Sequence, residues 1–201
     1  MPVTVIDYKA GNLTSVLKAL RHLGAEPIVT DGDLSLVESA ESIVLPGVGH
    51  FAATERLDVT GLTGAIRAAI ARGIPFLGIC VGMQWLYSGS TEAPQQSGLG
   101  HFSETCARFT EGKEKVPHVG WNSLEVRNGS RLLAGVAPGE FVYFTHSFKG
   151  PVTTDTAAVT RYIEPFAAAV ERGNVFGVQF HPEKSGATGL KILRNFLRFS
   201  C

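Results

Sequence analysis

The residue in this sequence best placed to do chemistry is a cysteine set between two glycines. Gly78-Ile79-Cys80-Val81-Gly82 follows the apolar run Pro75-Phe76-Leu77 directly and precedes Met83-Gln84-Trp85-Leu86-Tyr87, which reads as a helix. A G-x-C-x-G segment between strand and helix is the cysteine form of the nucleophile elbow, a tight turn that holds a reactive side chain exposed at the top of a sheet. The glycines have a mechanical reason. A nucleophile in a strained turn leaves no room for a Cβ two residues to either side, where strand and helix approach closely. A helix N-terminus at the sulfur would also favour thiolate through its free N–H groups and positive dipole end. That matters because an ordinary thiol, with a pKa of about 8.5, is only a few per cent ionised at neutral pH. A free cysteine is more often a small buried apolar residue, and that is the reading for Cys106 and Cys201, which lack such surroundings.

A thiol nucleophile needs a base. Val175-Phe176-Gly177-Val178-Gln179-Phe180 leads straight into His181-Pro182-Glu183. Proline fixes its own φ and pushes the preceding residue out of the helical region, so His181 is expected extended at a strand end. In an extended segment residues two apart project to the same side. Glu183 is therefore expected to reach the imidazole nitrogen that does not face the sulfur, setting the tautomer and stabilising imidazolium. His22, His50, His101, His118 and His146 have no such surroundings and read as packed or surface residues.

The elements that must position this pair alternate in the first half of the chain. Val3 to Ile6 is a β-branched run, and Leu13, Val16, Leu17, Leu20 and Leu23 follow at helical spacing, with Asn12 as the expected N-cap and Gly24 just past the end. Ile28-Val29-Thr30 and Ser42-Ile43-Val44-Leu45 read as strands, and Ala65, Ile66, Ala69 and Ile70 as a helix closed by Gly73. Such alternation implies a flavodoxin-like α/β fold: a mostly parallel central sheet with helices on both faces and the site at the carboxyl ends of the strands. Beyond about residue 104 strand-like segments dominate, at 105–110, 121–126, 140–144, 157–162, 166–171 and 175–180, so the sheet is expected to gain antiparallel members in the C-terminal half. Arg172-Gly173-Asn174 is a hairpin signal, the chain closes on a helix carrying Leu190, Leu193, Phe196 and Leu197, and Gln95-Gln96-Ser97-Gly98 is the expected mobile surface loop.

A length of 201 residues suits one domain spanning 1–201. With 44% hydrophobic and 18% charged residues the chain is too apolar for disorder, and it has no apolar run near the roughly 18 residues of a membrane span. The opening Met1-Pro2-Val3-Thr4-Val5-Ile6-Asp7 reads as a first strand, not a signal peptide, so a cytoplasmic location is expected. Lys plus Arg equals Asp plus Glu at 18 each, with no basic block. A nucleic-acid partner is disfavoured and a small-molecule substrate expected. Three widely spaced cysteines without CxxC disfavour a disulfide framework and a metal site.

The strand-elbow-helix segment 78–84 and the late His181-Pro182-Glu183 resemble the class I (triad) glutamine amidotransferases. Within that class the sequence is similar to the glutaminase subunits of imidazole glycerol phosphate synthase, in Asp7-Tyr8-Lys9-Ala10-Gly11-Asn12-Leu13, Pro46-Gly47-Val48-Gly49, Pro117-His118-Val119-Gly120-Trp121-Asn122 and His146-Ser147-Phe148. The similarity covers nearly the whole length, and Pro-His-Val-Gly-Trp-Asn is its most selective element. It implies that Cys80, His181 and Glu183 hydrolyse the side-chain amide of L-glutamine through a thioester, without a cofactor. By the same resemblance the oxyanion would meet the Val81 N–H and one from Val48 or Gly49, and Gly49, Gln84, Ser147 and Phe148 would line the glutamine pocket. The Gly47-Val48 peptide becomes a candidate switch, since flanking glycines let it turn over cheaply. Ammonia would pass to a (β/α)₈-barrel cyclase subunit in a heterodimer, forming imidazole glycerol phosphate and an aminoimidazole ribotide (AICAR) for histidine and purine synthesis. Asn12, Pro117, Trp121, Asn122 and Lys184 would lie on the partner-facing side, although Trp121 read by itself could equally be a core aromatic. Lys9, where a small residue or glycine is commoner, and His50, where alanine is usual, depart from the pattern. The rival readings are a glutaminase feeding another synthase, such as the one that makes pyridoxal phosphate, a DJ-1/peptidase-like cysteine hydrolase, and a catalytically silent subunit.

Overall fold

The computed structural model of the protein describes residues 1–10, 13–110, 112, 114–127 and 129–200. Its first part alternates β1 (Pro2–Ile6), α1 (Thr14–His22), β2 (Glu26–Thr30), α2 (Leu34–Glu38), β3 (Ile43–Gly47), α3 (Glu55–Val59), α4 (Leu62–Ala71) and β4 (Phe76–Cys80), and the short α5 (Val81–Gln84) follows without a break. The rest is mainly β: β5 (Gly89–Ser90), β6 (Thr105–Arg108), β7 (His118–Ser123), β8 (Glu125–Val126), β9 (Phe141–His146), β10 (Phe148–Lys149), β11 (Thr156–Arg161), β12 (Pro165–Arg172) and β13 (Val175–Val178), before the closing α6 (Gly186–Leu197).

The main sheet has the order β2-β1-β3-β4-β13-β12-β11-β8. Strands β2 to β13 in that order pair parallel, and β12, β11 and β8 extend the sheet antiparallel. Every residue of β3, β4 and β13 is buried, which is the mark of parallel strands covered on both faces. The expected fold class therefore holds, with a refinement. Only part of the C-terminal β structure joins the main sheet: β10, β6 and β5 make a three-stranded sheet, and β7 and β9 a separate antiparallel pair.

Three local expectations change. Helix α1 starts at Thr14 with Leu13 at the N-cap position and no side-chain cap; the expected cap, Asn12, lies outside the described residues, while Gly24 ends the helix at φ 81° as foreseen. Helices α2 and α3, five residues each, are too short for apolar periodicity to register. The segment expected as a mobile loop is tied down, because Gln96 Nε2 donates to Asp58 at 2.8 Å and the Gly98 N–H to the Ser88 carbonyl at 2.9 Å.

Candidate active site

The elbow is built from β4, Cys80 and α5. Cys80 has φ 54° and ψ −108°, a left-handed backbone that a non-glycine residue adopts only under constraint. The neighbouring glycines supply the space. A Cβ on Gly78 would sit 2.6 Å from the Gly82 carbonyl carbon, and one on Gly82 would land on the Leu45 carbonyl oxygen of β3. Helix α5 has only four residues, so its dipole gives the sulfur less help than the sequence suggested.

The parallel pairing of β13 with β4 sets Val178 beside Ile79, so the chain leaving β13 emerges next to Cys80. His181 is extended, with φ −97° and ψ 97°, and its N–H donates to the Tyr143 carbonyl at 2.9 Å. Glu183 reaches it differently from the expected extended geometry. Residues Pro182–Lys184 form a 3₁₀ turn, which folds the carboxylate back so that Oε1 accepts from His181 Nδ1 at 2.9 Å. Ser185, absent from the sequence reading, holds this turn: its Oγ donates to the His181 carbonyl at 2.6 Å and accepts the Tyr143 N–H at 2.9 Å.

His181 and Glu183 side chains are 1% and 5% exposed. Burial opposes charge on the imidazole, but interaction with Cys80 and then with Glu183 outweighs it and pushes the His181 pKa up to about 9. Nε2, the nitrogen not held by Glu183, makes no hydrogen bond of normal geometry among the described residues. Gln179 Nε2 lies 3.6 Å from Sγ, and the Thr145 carbonyl lies 3.9 Å away on another side. Cys106 is different: burial pushes its thiol far up, in keeping with an inert core residue.

In front of Cys80 opens a cleft of about 240 Å³. The expected pocket residues Gly49, Gln84, Ser147 and Phe148 all line it, together with Val48 and Val81. Gln84 Nε2 donates to the Phe148 carbonyl at 2.9 Å and to Gln179 Oε1 at 3.2 Å. Glu92 also lines the cleft and accepts the Phe51 N–H at 2.7 Å; a lone glutamate in a Ser/Thr-rich stretch carries no sequence signal of its own. The Val48 N–H points away from the cleft and donates to the Ala10 carbonyl at 3.0 Å. Tyr8 packs against Gly47, its hydroxyl without a partner among the described residues. Burial, and then Cys80, push that phenol up.

Thr145 and His146 of β9 line the cleft, and β7 pairs with β9. Val119 and Trp121 of β7 and Phe141 of β9 are more than half exposed on one face, with Trp121 edge-on to Tyr143 at 6.0 Å. Trp121 is thus a surface aromatic and not a core one. Lys184 is exposed, its Nζ 5.9 Å from the Tyr143 ring, and Pro117 lines the cleft. Asn122, expected on the partner-facing side, is half-buried on the opposite face of β7 from Trp121, and its Nδ2 donates to the Arg161 carbonyl at 3.0 Å. Lys9 has φ 64°, which explains why glycine suits that position, and pairs with Asp7 and Asp31. His50 caps the 3₁₀ turn Phe51–Thr54. Among the described residues no cluster of three or more His, Cys, Asp or Glu could hold a metal ion, and no helix is long and apolar enough to cross a membrane.

Residues 4–199 match the family described as glutamine amidotransferase class-I. The imidazole glycerol phosphate synthase subunit HisH of Deinococcus radiodurans is 46% identical over 98% of this chain and 93% of its own. The protein of the same name from Methanopyrus kandleri is 44% identical over 98% of each. A crystal structure of a glutamine amidotransferase, 20% identical, superposes with a TM-score of 0.77 over 98% of both chains, which shows the shared fold. The chain therefore belongs to the class I glutamine amidotransferases and, within them, to the HisH subunits of imidazole glycerol phosphate synthase.

Proposed function

We propose that this chain is one amidotransferase domain over residues 1–201 that works in the cytoplasm, hydrolyses L-glutamine to glutamate and ammonia, and delivers the ammonia to a cyclase subunit. That partner, a (β/α)₈ barrel in a heterodimer, would form imidazole glycerol phosphate and AICAR in L-histidine biosynthesis. The observation that carries the reading is Cys80, strained at the elbow, facing the 240 Å³ cleft with His181 and Glu183 behind it.

The chemistry follows from the groups present. Cys80 Sγ attacks the side-chain amide carbon of glutamine, and the carbonyl oxygen becomes an oxyanion. With a pKa of about 9 His181 is imidazolium at neutral pH, so it can protonate the amide nitrogen as the C–N bond breaks and ammonia leaves. It then takes a proton from the water that hydrolyses the thioester. Glu183 keeps the Nδ1 proton in place. The Glu92 carboxylate at the rim suits the α-ammonium of the substrate.

The Val81 N–H is one oxyanion donor. The second, from Val48 or Gly49, requires the Gly47-Val48 peptide to leave its bond to Ala10. Losing one such donor typically costs about 3 kcal/mol, or about a hundredfold. The isolated chain is therefore expected to hydrolyse glutamine poorly, and to speed up when a liganded cyclase docks on the exposed Val119, Trp121 and Phe141 face near Pro117 and Lys184. Measuring glutamate release with and without the cyclase subunit and its ligand tests this. Equal rates would contradict the switch, and no hydrolysis under any condition would contradict the function.

A further inference from the structure

The glutamine-pocket wall is backed by two buried histidines that the proposed reaction does not use. His118 and His146 stand opposite each other in the β7–β9 ladder, and His118 Nδ1 lies 3.1 Å from His146 Nε2. His118 is sandwiched between Tyr162 at 4.1 Å and Phe144 at 4.8 Å. Burial pushes His118 down to about 4 and His146 to about 3, so both rings are neutral at physiological pH.

Two neutral rings in contact need a defined order of protons, and their neighbours impose one. His146 Nδ1 lies 2.9 Å from the Phe148 carbonyl. A carbonyl can only accept, so Nδ1 carries the proton and Nε2 is bare. His118 must then donate from Nδ1, which leaves its own Nε2 bare. That atom faces the Asn122 amide nitrogen at 3.4 Å. Asn122 is oriented independently, because Nδ2 donates to the Arg161 carbonyl and Oδ1 accepts the Ser123 N–H at 2.8 Å. Beyond the rings, the Phe148 carbonyl also accepts from Gln84, whose amide engages Gln179, and Gln179 points its own amide at Cys80 Sγ. Each contact along this line pairs a donor with an acceptor, and the two runs, one from Asn122 and one from Gln84, meet at the Phe148 carbonyl, which accepts from both sides.

We propose that Asn122, His118 and His146 are positioning residues for glutamine cleavage, a string of fixed polarity that holds the Phe148 carbonyl and, through Gln84 and Gln179, the Cys80 sulfur. If the order fails at His118, His146 Nε2 is left a buried acceptor without its donor, and the ring whose Nδ1 proton holds the Phe148 carbonyl loses its own anchor. The proposal rests on glutamine hydrolysis only in its kinetic arm.

The first measurement is ¹⁵N-imidazole NMR of the whole chain at neutral pH. It should show both rings neutral and protonated on Nδ1; an Nε2–H tautomer or a charged ring at either position overturns the string. The second compares His118→Phe, which keeps the stacking but has no donor, with His118→Asn, whose amide can replace Nδ1–H, in complex with the cyclase subunit. Loss of one buried hydrogen bond should lower kcat/KM for glutamine about tenfold in the Phe variant, with the Asn variant restored to near the unmodified rate at a matched melting temperature. Equal activity of the two variants contradicts the proposal. An unmodified complex that hydrolyses no glutamine would instead refute the functional reading, and the NMR result would still decide the string.

Discussion

Glu183→Gln removes one negative charge from the imidazole of His181 while keeping the side chain's shape. Oε1 lies 2.9 Å from Nδ1 and both side chains are almost wholly buried, so solvent screens little of the interaction. A hydrogen bond involving a charged group contributes about 1.5–3 kcal/mol. One pKa unit corresponds to about 1.4 kcal/mol, so the neutral amide should bring the His181 pKa from about 9 down to about 7–8. The sign follows from the linkage. The raised folded-state pKa stabilises the native protein below the unfolded value of about 6.5, and that contribution is lost as pH rises through about 9. The variant should therefore lose less stability across this window than the unmodified protein. Catalysis should change more. The amide can present its NH₂ group to Nδ1, which drives the ring proton to Nε2; the analogous Asp→Asn change in a serine-protease triad lowers kcat about 10⁴-fold. The assay is glutamate release by the complex across the pH range, with melting temperatures measured alongside. The unmodified enzyme should lose kcat on the alkaline side near pH 9, and the variant should be slow with its alkaline limb at lower pH. A variant with an unshifted limb and a rate within about threefold of the unmodified enzyme would refute the assigned role of Glu183.

Other substitutions probe other links. Gly82→Ala places a Cβ 3.0 Å from the Leu45 carbonyl carbon and into its oxygen. Backbone must move by about 1 Å, so glutamine turnover should fall about a hundredfold with about 1–3 kcal/mol lost in stability; normal turnover would show that the elbow tolerates the space. Iodoacetamide should label Cys80 well before Cys106, whose buried thiol is pushed up, as peptide mass spectrometry would read; equal labelling would contradict that distinction. Trp121→Ala should weaken binding of the cyclase subunit by about 2 kcal/mol without lowering the melting temperature, because the indole is 55% exposed. Calorimetric titration with unchanged affinity would remove Trp121 from the docking face.

The elbow is legible in sequence because its constraint is local. Gly78 and Gly82 are demanded by backbone atoms within a few residues or on the adjacent strand, and that demand leaves a pattern. His181 is legible through Pro182, but the route to Glu183 is not, because a 3₁₀ turn and an extended segment satisfy the same three residues and Ser185 decides between them. The pairing of His118 with His146 depends on the register of β7 and β9, strands separated by a long stretch of chain. No spacing rule reports it, so both read as ordinary packed histidines. Gln179 and Glu92 enter the site in the same way, through the alignment of β13 with β4 and the path of the chain after β5. The division of the late strands among three sheets is likewise a matter of long-range pairing.

During turnover the sulfur of Cys80 is expected to become covalently bonded to the glutamyl group. Acid quenching of the complex during turnover of isotopically labelled glutamine, followed by peptide mass spectrometry, tests it most directly. A labelled glutamyl thioester on the peptide containing Cys80, absent in Cys80→Ala while that variant still uses added ammonium salts, is the expected result. Glutamine-dependent turnover by Cys80→Ala, or an adduct on Cys106 instead, would contradict it.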